Sequence, residues 1–153
     1  MGFDVHQLVE GRDLWLGGIK IPHTLGLLGH SDADVLIHAI CDALLGAANM
    51  RDIGYHFPPV KGNEFENVDS KILLRKTIDL IATKGYHLVN IDATVCAEKP
   101  KINPHVPEMR KCLAEVMNTD EDNVSIKATT TEKLGFTGRE EGISAYAVVL
   151  IEK

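Results

Sequence analysis

Asp4-Val5-His6 sets a carboxylate and an imidazole two residues apart. On a strand such side chains project to one face, so the pair can offer an oxygen and a nitrogen to one cation while Val5 turns to the core. A second stretch, His30-Ser31-Asp32-Ala33-Asp34, opens a long apolar segment that carries His38 in its middle. On a helix Asp34 and Asp42 each stand four residues from His38 and are its neighbours. That suits a metal ligand whose second ring nitrogen is held by a carboxylate; a core histidine satisfied by a helix-mate fits the same pattern. Two histidines and one carboxylate leave a tetrahedral zinc with an open fourth position, the arrangement of a catalytic site. The third stretch, Thr129-Thr130-Thr131-Glu132, offers hydroxyls for phosphate oxygens and a carboxylate for a Mg²⁺ that bridges phosphates. A β-edge followed by a helix cap is its plainer reading.

The elements that must position these residues can be read from spacing. Met1 to His6 reads as a short strand, and Leu14-Trp15-Leu16 and Ile19-Lys20-Ile21 as a hairpin turned by Gly17-Gly18. After a Gly26–Gly29 loop, Val35, Leu36, Ala39, Ile40, Ala43, Leu44 and Ala47 recur at helical spacing, with Ser31 or Asp32 as the expected cap. Asn49 to Asp69 is irregular and holds Pro58-Pro59, so a mobile surface loop near the site is expected there. A helix from Ser70 to Lys84, capped by Asp69 or Ser70 and stopped by Gly85, precedes a strand from His87 to Ala97. Pro100-Lys101-Ile102-Asn103-Pro104 forms a stiff loop into a helix from His105 to Met117. Strands from Val124 to Ala128 and Ile143 to Ile151 flank the glycine-punctuated Gly135–Gly142. This order gives one α+β domain over residues 1–153: a two-layer domain in which helices cover one face of a mixed β-sheet. The uncovered face then calls for oligomerisation.

Composition narrows the classes further. The chain of 153 residues is 44% hydrophobic and 25% charged, ordinary for a globular domain, and has no low-complexity tract. No apolar run reaches the roughly 20 residues of a membrane span, and no signal-peptide pattern opens the chain. A formal charge of −6 supplies no basic stripe, so neither nucleic acid nor membrane is an expected partner. An anionic ligand must be met locally by metals, helix N-termini or single cations. Cys41, Cys96 and Cys112 are odd in number and lack CxxC spacing, which argues for structural thiols in a reducing compartment.

Five blocks then occur in order: Gly2-Phe3-Asp4-Val5-His6; His30-Ser31-Asp32-Ala33-Asp34-Val35 with His38; Asp52-Ile53-Gly54; Pro100-Lys101; and the long run Ala128-Thr129-Thr130-Thr131-Glu132-Lys133-Leu134-Gly135-Phe136-Thr137-Gly138-Arg139. Together they resemble the 2-C-methyl-D-erythritol 2,4-cyclodiphosphate synthase family of the non-mevalonate isoprenoid pathway, over essentially the whole chain. The resemblance implies Asp4, His6 and His38 as ligands of one Zn²⁺ per chain. It implies His30 and Thr130 as catalytic groups that stabilise the transition state, with Ser31 in the substrate site and Asp52 and Gly54 at the ribose. Ala97, Pro100, Lys101, Ile102 and Asn103 would form the cytosine pocket, largely through backbone groups. Thr129, Thr130, Thr131 and Glu132 would meet the diphosphate, with Glu132 on a Mg²⁺ or Mn²⁺. Phe136 and Arg139 match positions near a trimer axis, where an isoprenoid diphosphate could bind. The sheets would pack around that axis in a homotrimer with shared active sites. The expected location is cytoplasmic and bacterial-type, with a plastid open if a transit peptide was removed.

Two departures from the family pattern stand out. The family places residues of the kind R-I-G before G-F-D-V-H, whereas Met1 alone stands here, which implies a short first strand or a trimmed end. The family's F-P-D-T-D-P loop reads Phe57-Pro58-Pro59-Val60-Lys61, with two acidic positions lost. Two other functions compete with cyclisation. A phosphohydrolase would need a water-positioning base, for which Asp34 or Asp42 can be nominated. A trimeric binding module would use the Asp/His cluster as a structural metal site closed by a fourth ligand.

Overall fold

The computed structural model describes residues 1–58, 65 and 67–153. Its sheet has five strands: β1 (Gly2–Val9), β4 (Gly26–Leu27), β5 (His87–Cys96), β6 (Val124–Thr129) and β7 (Gly142–Glu152), in the order β4-β1-β7-β5-β6. All pairs are antiparallel except β5–β6. That parallel pair needs a crossover, supplied by α4 (Val106–Met117), which follows a 3₁₀ turn at Asn103–His105. A separate hairpin joins β2 (Leu14–Leu16) to β3 (Ile19–Ile21). Its turn is the expected Gly17-Gly18, with φ of +62° and +80°, values that two L residues would resist.

Helix α1 (Val35–Ala47) lies across β1 and β7, with Val35, Leu36, Ile37, Ala39, Ile40 and Leu44 fully buried. Burying each large side chain contributes about 1.5–3 kcal/mol, so this face anchors the domain. At Gly2 strand and helix touch closely: a Cβ there would fall 1.9 Å from the carbonyl oxygen of Ala39. Helix α3 (Ser70–Thr83) is capped by Asp69, packs on α1 and α4, and ends before Gly85, whose φ is +77°.

Several expectations change. β1 is not short; it runs eight residues to Val9. Val5 faces away from the core and is exposed, because Gly2, Asp4, His6 and Leu8 take the helix-covered face. The cap of α1 is Asp34 rather than Ser31 or Asp32: its Oδ1 accepts from the Ile37 N–H at 3.0 Å. The irregular region after Asn49 contains a one-turn helix, α2 (Ile53–His56), capped by Asp52. Of the Phe57–Lys61 loop that departs from the family, Pro59, Val60 and Lys61 lie outside the described residues.

Helices α1, α3 and α4 share one sheet face. On the other, Phe3, Val5, Tyr146, Val148 and Leu150 form an exposed apolar stripe along β1 and β7, with the rings of Phe3 and Tyr146 4.9 Å apart. A monomer rarely leaves such a contiguous stripe wet.

Candidate metal and nucleotide site

Asp4 and His6 rise from β1 and meet His38 from α1 at one point. The Asp4 Oδ2 lies 3.0 Å from His6 Nε2 and 3.0 Å from His38 Nδ1, and the two nitrogens are 3.1 Å apart. Among the described residues this is the group whose geometry suits a metal ion. His6 Nδ1 donates to the Leu28 carbonyl at 2.8 Å, which leaves Nε2 with its lone pair toward the other two. A tetrahedral cation with bonds of about 2.0–2.1 Å would set such ligand atoms about 3.3 Å apart, so the three fit a divalent metal closely.

The charges agree. Burial opposes ionisation of Asp4, yet its polar contacts with His38 and His6 outweigh it and hold the carboxyl well below the usual carboxylate range. Burial likewise disfavours protonated His6, but the hydrogen bond and charge of Asp4 and the Leu28 carbonyl raise its pKa above the ordinary histidine value. A positive charge belongs at this point, as a proton or as a metal.

The carboxylates expected beside His38 are engaged elsewhere. Asp34 is wholly buried and accepts from the N–H groups of Gly17, Gly18 and Ile37, tying the β2–β3 turn to the start of α1. Asp42 accepts from the Ile53 N–H at 2.8 Å and so anchors α2. Asp34, with both oxygens committed to backbone N–H groups, is not free to serve as a water-positioning base. His38 Nε2 instead meets hydroxyls, Ser70 Oγ at 3.0 Å and Ser31 Oγ at 3.3 Å. Ser70 in turn donates to Asp32. Ser70 had no signal in the sequence, because nothing in local spacing shows that the first turn of α3 docks against the middle of α1.

His6 and His38 border a cavity of about 150 Å³, lined also by His30, Ser31, Gly54, Phe57, Phe65 and Leu73. Arg12, which the sequence did not single out, donates to the carbonyls of Gly29 and Ser31 and fixes the loop that carries His30. Asp52 sits at the head of α2, exposed, with its Oδ1 on the Tyr55 N–H.

A second cavity, of about 410 Å³, lies at the ends of β5 and β6 and is lined by Ala97, Glu98, Pro100, Lys101, Ile102, Asn103, Ala128, Thr129 and Thr130. Ile102, although it lines the cup, is buried, and its side chain belongs to the core. Thr130 Oγ1 donates to Glu132 Oε1 at 2.9 Å and accepts from the Glu132 N–H. Glu132 and Lys133 hold φ of +51° and +64°, consecutive left-handed residues, a conformation that costs L residues free energy. Thr131 donates to the Leu134 carbonyl and turns from the cup. Phe136 is exposed, and Arg139 is paired to Glu141 at 2.8 Å.

The sheet register measures the gap between the two cavities. Asp4 pairs with Ala145, Ala145 with Val95, and Val95 with Ala128. Three strand spacings make about 14 Å. Ala145 and Val95 are fully buried, so core fills the direct path.

Comparison with known proteins gives a consistent picture. The YgbB family model matches residues 1–152. The chain is 75% identical over 152 residues to the 2-C-methyl-D-erythritol 2,4-cyclodiphosphate synthase of Bacteroides fragilis, covering 99% of this chain and 95% of that one. It is 64% identical over 150 residues to the synthase of the same name from Porphyromonas gingivalis, covering 98% and 92%. Among solved structures, the bifunctional IspDF of Campylobacter jejuni superposes with a TM-score of 0.94 at 43% identity, over 98% of this chain and 40% of that longer one. The Plasmodium falciparum IspF complex with CDP superposes with a TM-score of 0.85 at 37% identity, over 98% and 92%. The chain belongs to the YgbB family, that of the 2-C-methyl-D-erythritol 2,4-cyclodiphosphate synthases.

Proposed function

We propose that the protein converts 4-diphosphocytidyl-2-C-methyl-D-erythritol 2-phosphate to 2-C-methyl-D-erythritol 2,4-cyclodiphosphate and CMP, a phosphorus–oxygen lyase step in isoprenoid precursor synthesis. An oxygen of the 2-phosphate forms a bond to the β-phosphorus. The bond from that phosphorus to the bridging oxygen breaks, and CMP leaves with the electron pair. The observation that carries this reading is the pairing of a three-ligand metal point with a separate cup at the ends of β5 and β6. The relatives' shared name supports it.

Asp4, His6 and His38 hold one Zn²⁺, which when bound neutralises the diphosphate and polarises the phosphorus. Glu132 binds a Mg²⁺ or Mn²⁺ that accompanies the diphosphate. Thr129 and Thr130 present hydroxyls to the phosphate oxygens, and His30 and Thr130 stabilise charge in the transition state. Asp52 and Gly54 orient the ribose, while Ala97, Pro100, Lys101, Ile102 and Asn103 read the base through the backbone. The substrate carries its own nucleophile, so holding the folded-back conformer supplies much of the acceleration.

The working unit is a homotrimer with shared sites, each joining the metal cavity of one chain to the cup of its neighbour. The filled core between the cavities of one chain and the exposed apolar stripe both support it. Phe136 and Arg139 lie toward the axis, where an isoprenoid diphosphate can bind; the location is the cytoplasm. Among the described residues no helix is long and apolar enough to cross a membrane. Incubation with substrate and Mg²⁺ tests the reading: stoichiometric CMP and a cyclic product are expected, and a linear phosphate product would replace cyclisation by hydrolysis.

A further inference from the structure

Behind the metal triad stands a chain of hydrogen bonds whose directions can be worked out atom by atom. Asp32 accepts from two backbone groups, the Ser70 N–H at its Oδ2 and the Asp34 N–H at its Oδ1. It also accepts the hydroxyl proton of Ser70. A hydroxyl has one proton, so Ser70 Oγ has only lone pairs left for His38 Nε2, 3.0 Å away. The contact therefore requires the proton on Nε2. The other nitrogen, Nδ1, then keeps its lone pair and directs it at Asp4 and His6. Ser70 is fully buried, so no water competes for this arrangement. Ser31 Oγ, at 3.3 Å, accepts from the Ala33 N–H and is the weaker partner.

We propose that Asp32 and Ser70 form a relay that locks His38 in its Nε2–H tautomer and thereby sets how tightly the triad holds its metal. Ser70 is thus a positioning residue that acts through His38. The same relay joins the metal point to α3, since Asp32 receives both the backbone N–H and the hydroxyl of the first residue of that helix. The inference rests on the reading that Asp4, His6 and His38 bind zinc, and the test separates the two.

Zinc affinity is measured by chelator competition on the full chain, together with the absorption of the Co²⁺-loaded protein and ¹⁵N spectra of the histidine rings without metal. Ser70→Ala keeps the backbone N–H on Asp32 and removes only the hydroxyl. It is expected to weaken zinc binding roughly 10- to 100-fold, to shift the cobalt bands, and to mix the two His38 tautomers. Asp32→Asn leaves the hydroxyl but can turn an amide N–H toward Ser70 Oγ, freeing the Ser70 proton to point at Nε2. It should lower affinity as well, and it decides the matter if Ser70→Ala does not fold. Wild-type affinity and an unchanged cobalt spectrum in either folded variant would overturn the relay. A wild-type protein that binds no zinc would overturn the metal reading itself.

Discussion

The two cavities are built by opposite means. Around the triad nearly every polar atom is committed to a named partner: His6 to the Leu28 carbonyl, His38 to Ser70, Arg12 to the loop carbonyls. The cup at the ends of β5 and β6 is backbone and short side chains, and its threonines satisfy one another or Glu132 until something better arrives. A metal site needs fixed lone pairs, and buried side chains with single rotamers supply them. A nucleotide site needs donors and acceptors at the ends of strands, and it must stay open to admit its ligand. The first is complete within one chain, and in the proposed trimer the second would be finished by a neighbour.

The largest test strikes the complete half. His38→Ala removes a ligand from the middle of α1, where alanine is the better helix former, so the fold should persist. Metal content should fall to background and CMP release by about 10³-fold or more, since several kcal/mol of charge stabilisation is lost. Full zinc and full turnover in this variant would remove His38 from the site. The next test joins the halves. Co-refolding His38→Ala with Thr130→Ala in equal amounts should restore about one quarter of wild-type activity, the share of interfaces that pair two intact halves at random. No recovery in verified mixed trimers would mean that each chain builds its site alone.

Much of this division could be read from the sequence, and what escaped did so for physical reasons. Alternation placed Asp4 and His6 on one face, and helical spacing placed His38 on α1, because both periods are local. Which face of β1 is the core face depends on where α1 docks, so alternation alone cannot show that Val5 faces outward. Four-residue spacing makes Asp34 a companion of His38, yet the N–H groups of the β2–β3 turn claim its carboxylate. The cap shifted from Ser31 or Asp32 to Asp34 for the same reason. Ser70 and Arg12 were invisible because their roles are set by contacts 32 and 17 residues away in the chain. The threonine run announced itself by composition, whereas its strained backbone at Glu132 and Lys133 is a fact of conformation alone.

A smaller effect is expected at the cup. If Pro100 to Asn103 present backbone groups to the base edge, cytidine and uridine nucleotides should differ, because exchanged donors and acceptors leave pocket groups unpaired. CDP should compete with substrate about tenfold better than UDP. Equal inhibition by both would show that the loop does not read the base, leaving the cup a site for phosphate and sugar only.

The smallest effect separates the halves by pH, and its sign follows from the triad. Without metal, His6 has its pKa raised: burial lowers it, but the Asp4 carboxylate and the Leu28 carbonyl outweigh burial. A raised folded-state value contributes stability that is full below the unfolded histidine pKa of about 6.5 and is lost as pH climbs through the folded value. Asp4, whose pKa is depressed, contributes above the unfolded carboxylate value, so it stays constant through the neutral range and fades only in acid. The chelator-treated protein should therefore melt at a lower temperature as pH rises from about 6 to 8. With zinc the slope should reverse, because the metal takes the place of the proton and binds better once His6 is free. Asp4→Asn should flatten the metal-free slope, since a neutral amide no longer raises the His6 pKa by its charge. CDP binding at the cup should change little over the same range. A metal-free melting temperature that is level or rises with pH would show that no proton is held at the triad.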